Sequence, residues 1–138
     1  MIPVGFSELG KAFQMHARAA GNANDASHSL LLFYAVECGL KSMYLRRHKL
    51  MKIENIPNKQ LHRNHDLLLW VKELKLSAQL AGATSGFSFH LKRDRTVRQI
   101  EQAHQAWRYG VLIDPKDEKI LINWLKKIND WIQEGIAS

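Results

Sequence analysis

Apolar residues recur along this chain at intervals of three and four, the spacing of one face of a helix. Phe6, Leu9, Phe13 and Ala17 form such a stripe, with Lys11 and Arg18 outside it, and predict a first helix over Phe6 to Ala20. Gly21 ends it, and Asn22, Asn24 and Asp25 are good caps for the next. The second helix is predicted from Ala26 to about Leu50, and between Leu30 and Leu45 it is apolar nearly all round. A helix of that kind is covered on several sides and lies at the centre of a bundle. Within it, Glu37 and Lys41 stand four apart and can pair, and Gly39 implies close approach by a neighbour. Arg46, Arg47, His48 and Lys49 close it with positive charge, which suits a helix C-terminus.

Lys52 to Arg63 contains Pro57 and Asn58, has little periodicity and reads as a loop. Asn64 is expected to cap a third helix, with Asp66 in its first turn, Leu67, Leu68, Val71 and Leu74 inward and Trp70 flanking. Ala81 to Gly86 is small and glycine-bearing, and Phe87 to Leu91 alternates weakly as an extended connector. A fourth helix is expected from Thr96, a cap with Gln99 three later, to Gly110. Asp114, Pro115 and Asp117 then give cap, first-position proline and first-turn acid. The fifth helix follows with Leu121, Trp124, Leu125, Ile128, Trp131 and Ile132 on one stripe. The expected class is all-α: a four- to five-helix up-and-down bundle, one domain over residues 1–138.

Composition adds a sign to this outline. Twenty Lys and Arg against 13 Asp and Glu give a net charge of +7, which favours polyanions such as nucleic acid or an anionic membrane face. Lys92, Arg93, Arg95 and Arg98, with His90, make the densest basic run. The single cysteine, Cys38, lies in an apolar run and reads as a small core residue in a reducing, cytoplasmic setting. No signal peptide is evident, and the apolar stretch Leu30 to Val36 is far short of the ~20 residues that cross a bilayer. His62, His65 and Asp66 have the look of metal ligands but lack a converging partner pair, so no metal or other cofactor is expected.

Candidate chemistry concentrates in RQIEQAHQAWRYG, Arg98 to Gly110. On a wheel of about 100° per residue, Val97, Ile100, Ala103, Trp107 and Val111 share one arc, and His104 sits at its edge. Arg98 falls about 120° from His104, whereas Arg108 is four residues on and nearer. A histidine can move the proton of an RNA 2′-hydroxyl near neutral pH, and an arginine can hold the phosphate. Arg98 and His104 are therefore the catalytic candidates, with Arg108, Tyr109, Arg95, Arg93 and Lys92 as substrate-binding candidates. A purely structural alternative has His104 bonded at the core edge and Arg108 paired with Glu101.

Three segments, FYAVECGLKSMYL, RNHDLLLWVKEL and RQIEQAHQAWRYG, together resemble the HEPN superfamily of small helical-bundle proteins. Arg98 and His104, with five residues between, match that family's arginine–histidine motif. The resemblance implies metal-independent RNA cleavage at a site completed by a homodimer. It implies work in toxin–antitoxin or other anti-phage defence, with a nucleotidyltransferase antitoxin or another defence subunit as partner. It equally admits a catalytically inert subunit that binds nucleic acid, a nucleotide or a partner protein.

Overall fold

The second helix decides the arrangement, because it has no polar face to turn to water. The computed structural model describes residues 5–20, 26–61, 66–76 and 88–137, and it is mostly helical. In chain order the described elements are α1 (Phe6–Ala20), α2 (Ala26–Arg47), α3 (Leu67–Glu73), β1 (Ser88–His90), β2 (Val97–Gln99), α4 (Ala103–Tyr109) and α5 (Pro115–Ala137). Short 3₁₀ turns stand at Ile53–Asn55, Lys59–Leu61 and Ile100–Gln102. The all-α class holds, with one small antiparallel hairpin added. Gly21, Asn22, Asn24, Asp25, His62, His65, Asn64 and Ala81 to Gly86 lie outside the described residues.

Helix α2 touches α1, α3, α4 and α5. Phe33, Ala35, Val36, Leu40 and Leu45 are wholly buried at its centre. From the other side, α5 presents Leu121, Leu125, Ile128 and Ile132, all wholly buried, with Trp124 at 5% exposure. Glu37 and Lys41 do pair, at 3.2 Å, and they do so inside the bundle. A buried charge needs such a partner. The Lys41 ammonium also lies 5.9 Å from the centroid of the Trp70 ring. Trp70 does not flank α3 as expected: it is wholly buried, edge-on to Tyr44 at 5.5 Å, because α3 packs against α2 with this ring between them. Burial, with Glu37 second, pushes the Cys38 thiol up to about 11, so it stays protonated.

The basic end of α2 serves two other helices. Arg47 donates to the carbonyl of Leu74 at the end of α3, and Arg46 to that of Gly135 near the end of α5, at 3.4 Å. Both guanidinium groups thereby meet helix C-terminal carbonyls. Asp66, rather than residing in the first turn of α3, is its N-cap and accepts from the Leu68 N–H at 3.0 Å.

The largest departure from expectation is at Thr96. No helix begins there. Asp94 accepts from both the Thr96 N–H and its hydroxyl, and Arg95 takes a left-handed φ of 60°, so the chain turns back as a hairpin. The register pairs Ser88 with Gln99, Phe89 with Arg98 and His90 with Val97. Thr96 and Val97 are β-branched and fit a strand at least as well as a helix. The periodicity misled because Ile100, Ala103 and Trp107 are buried as a helix would have them, whereas Val97 is 55% exposed. A 3₁₀ turn begins at Ile100, where the Gln102 side chain accepts from the Gln99 N–H at 3.3 Å, and it leads into α4 at Ala103. Gly110 ends α4 at φ 69°, as expected of a left-handed C-terminal residue.

A Cβ on Gly39 would lie 2.7 Å from Ile132 Cδ1 and 2.9 Å from Phe13 Cδ1, so this glycine sets how closely α1, α2 and α5 approach. Overpacking costs ~1–3 kcal/mol, and alanine's better helix propensity returns ~1 kcal/mol. Gly39→Ala should therefore lose about 1 kcal/mol, read as a lower urea midpoint at unchanged m value. A raised midpoint would contradict this packing.

Candidate functional site

Helix α4 is short, and its position comes from its neighbours. Its inner face, Ala103, Ala106 and Trp107, is buried against the core. Trp107 Nε1 donates to Glu118 at 3.1 Å, which ties α4 to the first turn of α5. The hairpin is fixed to the same turn. Asp117 accepts from both the backbone N–H of His90 at 2.8 Å and its Nδ1 at 2.9 Å. Asp114 donates its own N–H to the His90 carbonyl at 2.8 Å, caps α5 through Lys116 and Asp117, and receives Arg95 Nη1 at 2.7 Å. The acidic start of α5 thus anchors both elements that carry the candidate residues.

The candidates divide into two groups on different sides of α4. One group lines a cleft of about 220 Å³ between the hairpin and α4. Arg93 and Arg98 approach it from the hairpin, and Gln102, Gln105 and Tyr109 from the α4 side, over a floor that includes Phe89. Among the described residues, no carboxylate lines it. Arg98 pairs with Phe89 across the strands, so both side chains share the inner face of the hairpin. The Arg98 Nε is buried and has no hydrogen-bond partner among the described residues. Gln102 has its oxygen engaged by the Gln99 N–H, which leaves its amide hydrogens to donate. Tyr109 is 72% exposed at the rim. Asp94 lies beside the cleft, 3.7 Å from Arg93 Nε; its hydrogen bonds from Thr96 and then the nearby arginines hold it below the usual carboxylate range.

The other group gathers round Tyr34 of α2. The half-buried His104 ring stands 5.2 Å from Phe33 and 6.5 Å from Tyr34. Arg108, one turn further along α4, donates to the Tyr34 hydroxyl and lies 5.9 Å from that ring's centroid. On the far side, His16 of α1 stands 6.3 Å from Tyr34. Hydrogen bonding to Tyr34, and then to Tyr109, holds the Arg108 guanidinium more firmly charged than usual. Arg108 is therefore joined to Tyr34 rather than to Glu101.

Arg98 and His104, expected on one helix, thus sit on a strand and a helix. Within one chain the structure brings Arg98 together with Arg93 and Tyr109, and His104 with Arg108. Arg95 is engaged with Asp114, and Lys92 is exposed on the hairpin turn with its N–H on the Leu112 carbonyl. Sequence reasoning missed Tyr34, His16, Gln102 and Gln105. Tyr34 left one signal: a phenol inside an apolar run needs a polar partner for its hydroxyl. Among the described residues no three His, Cys, Asp or Glu gather as a metal site, and no helix is long and apolar enough to cross a membrane. Compared with protein-family models, curated proteins and solved structures, the chain finds no match.

The anchoring of the hairpin has a pH signature. Arg95, then the α5 backbone N–H groups, hold the Asp114 carboxyl below its ordinary value. A group lowered in the folded state stabilises fully above the unfolded value of about 4, and that stability is lost as pH falls through the folded value. Asp114→Asn keeps a capping side chain and removes the charge. Thermal unfolding between pH 7 and 2 should show a shallower acid loss in this variant, with Asp94 supplying part of the remainder. An unchanged slope would mean that the Arg95 contact contributes nothing.

Proposed function

We propose that this protein is a metal-independent endoribonuclease of the HEPN type, acting as a homodimer in a toxin–antitoxin or anti-phage system. The observation that carries the reading is the outer side of α4. One rim bears His104 and Arg108, and the other opens on the Arg98 cleft. A two-fold axis along this surface would bring the imidazoles and arginines of both subunits to line one shared cleft. The net charge of +7 and the resemblance of three segments to the family support the same reading.

In the proposed reaction, one His104 takes the proton from the RNA 2′-hydroxyl. The freed oxygen attacks phosphorus, and the bond to the 5′ oxygen breaks. The second subunit's imidazole gives the leaving oxygen a proton. Arg98, with Arg93 beside it, holds the phosphate oxygens and offsets the charge that grows on them. The products are a 2′,3′-cyclic phosphate and a free 5′-hydroxyl, and DNA is spared because it lacks the nucleophile. A nucleotidyltransferase antitoxin or another defence subunit is the partner this reading calls for.

The separation of Arg98 from His104 within one chain favours a second reading, in which the protein binds RNA without cutting it. Cleavage of single-stranded RNA in EDTA distinguishes the two. The first reading expects cyclic-phosphate ends and a loss of at least ~100-fold in His104→Ala, the scale of general acid–base catalysis. Intact RNA, bound with an affinity that falls steeply with salt, would establish the second reading instead.

A further inference from the structure

Arg98 carries the family-like motif, yet Arg108 is the arginine that stands with His104 in the same subunit. Its side chain is long and exposed, and such a group is free to sample many rotamers. Here it has a fixed partner. The Tyr34 hydroxyl accepts its hydrogen bond, and the Tyr34 ring lies 5.9 Å from its guanidinium carbon. The same ring faces His104 at 6.5 Å and is itself held edge-on by Phe33 at 6.3 Å. Because α2 is buried on nearly every side, Tyr34 is attached to the most enclosed element of the bundle. A single phenol therefore connects the rigid core, an imidazole and a guanidinium.

We infer that Tyr34 is a positioning residue that holds Arg108 beside His104, so that these two form the working arginine–histidine pair of each subunit. The inference rests on the proposed nuclease activity and assigns a new residue to it. Tyr34 touches no reacting atom. It restrains Arg108, which joins Arg98 in offsetting the charge that develops on the phosphate. His16 of α1 also stands beside the Tyr34 ring, at 6.3 Å.

Tyr34→Phe tests this, because it keeps the ring against Phe33 and His104 and removes only the hydroxyl. In the full-length protein, kcat on a short RNA should fall about tenfold, since loose placement of a charge-stabilising group costs rate. KM should change by less than about twofold, because the lost interaction belongs to the transition state. The double variant Tyr34→Phe/Arg108→Ala should be no slower than Arg108→Ala alone. A wild-type kcat in Tyr34→Phe, or a full tenfold further loss in the double variant, would overturn the inference.

An NMR titration of the His104 ring separates failure of this inference from failure of the nuclease reading. Among the described residues, the titratable and charged groups on the elements round the His104 ring include Arg108 and Glu101 on its own segment, Tyr34 on α2, and His16 beside Tyr34 on α1. Removing the Arg108 cation should raise the His104 pKa, Tyr34→Phe should raise it part of the way, and the double variant should go no further than Arg108→Ala. If the wild-type protein cuts no RNA, the nuclease reading falls and this titration alone decides the role of Tyr34. A His104 titration unmoved by Tyr34→Phe would end it.

Discussion

A helix that is apolar on every side must be surrounded, and α2 imposes that requirement on the rest of the chain. Its neighbours α1, α3, α4 and α5 are each amphipathic or short, and none could bury its own apolar face without it. Close approach follows from the same requirement: α5 meets α2 at Gly39, where there is no room for a methyl group beside Ile132. The two charges that α2 does carry inside the bundle, Glu37 and Lys41, satisfy each other and are covered by Trp70. Removing either partner alone would leave a buried charge uncompensated, which costs far more than the pair itself contributes. That is a reason for the pair to lie within one helix, where a spacing of four brings the side chains together without help from tertiary contacts.

Where α2 reaches the edge of the bundle, its residues change role from filling to holding. Phe33 is wholly buried and supports the His104 ring from the core side. Tyr34, its neighbour in sequence, has an apolar ring that packs and a hydroxyl that meets Arg108. The acidic first turn of α5 does the matching work for the hairpin. Asp114 and Asp117 sit at the positive start of α5 and, with the same carboxylates, hold Arg95 and His90. Electrostatics that begin as local helix chemistry thereby position residues from distant parts of the chain.

This division explains what was legible in the sequence. Helices α1, α2 and α5 are long enough for periodicity and caps to agree, and α1 falls on the expected Phe6 to Ala20. Gly39, the Glu37–Lys41 pair and the Asp114–Pro115 start depend on neighbours in sequence or on simple packing, and all are found as read. The hairpin was not legible, because Val97 and Ile100 keep helical spacing while strand pairing to Ser88–His90 is a contact between segments. Trp70 was misplaced for a related reason: a seven-residue helix has too few positions to define a stripe. At the site, the residues with chemical capacity were found, but their grouping was not. Spacing along one helix joined Arg98 to His104, whereas the turn at Arg95 puts Arg98 on a strand facing Tyr109.

The regrouping changes what an arginine–histidine motif means in this chain. If the two residues had shared a helix face, each subunit would hold a complete site and dimerisation would add only stability. With Arg98 facing a cleft on one side of α4 and His104 facing Tyr34 on the other, the proposed chemistry has two arginines to place around one phosphate. Arg108 is already fixed beside the imidazole within the subunit. In the proposed dimer, Arg98, its Nε buried and still able to donate, would reach the shared phosphate from across the interface. In that proposal a dimer is part of the mechanism, because the second guanidinium would arrive only with the second chain.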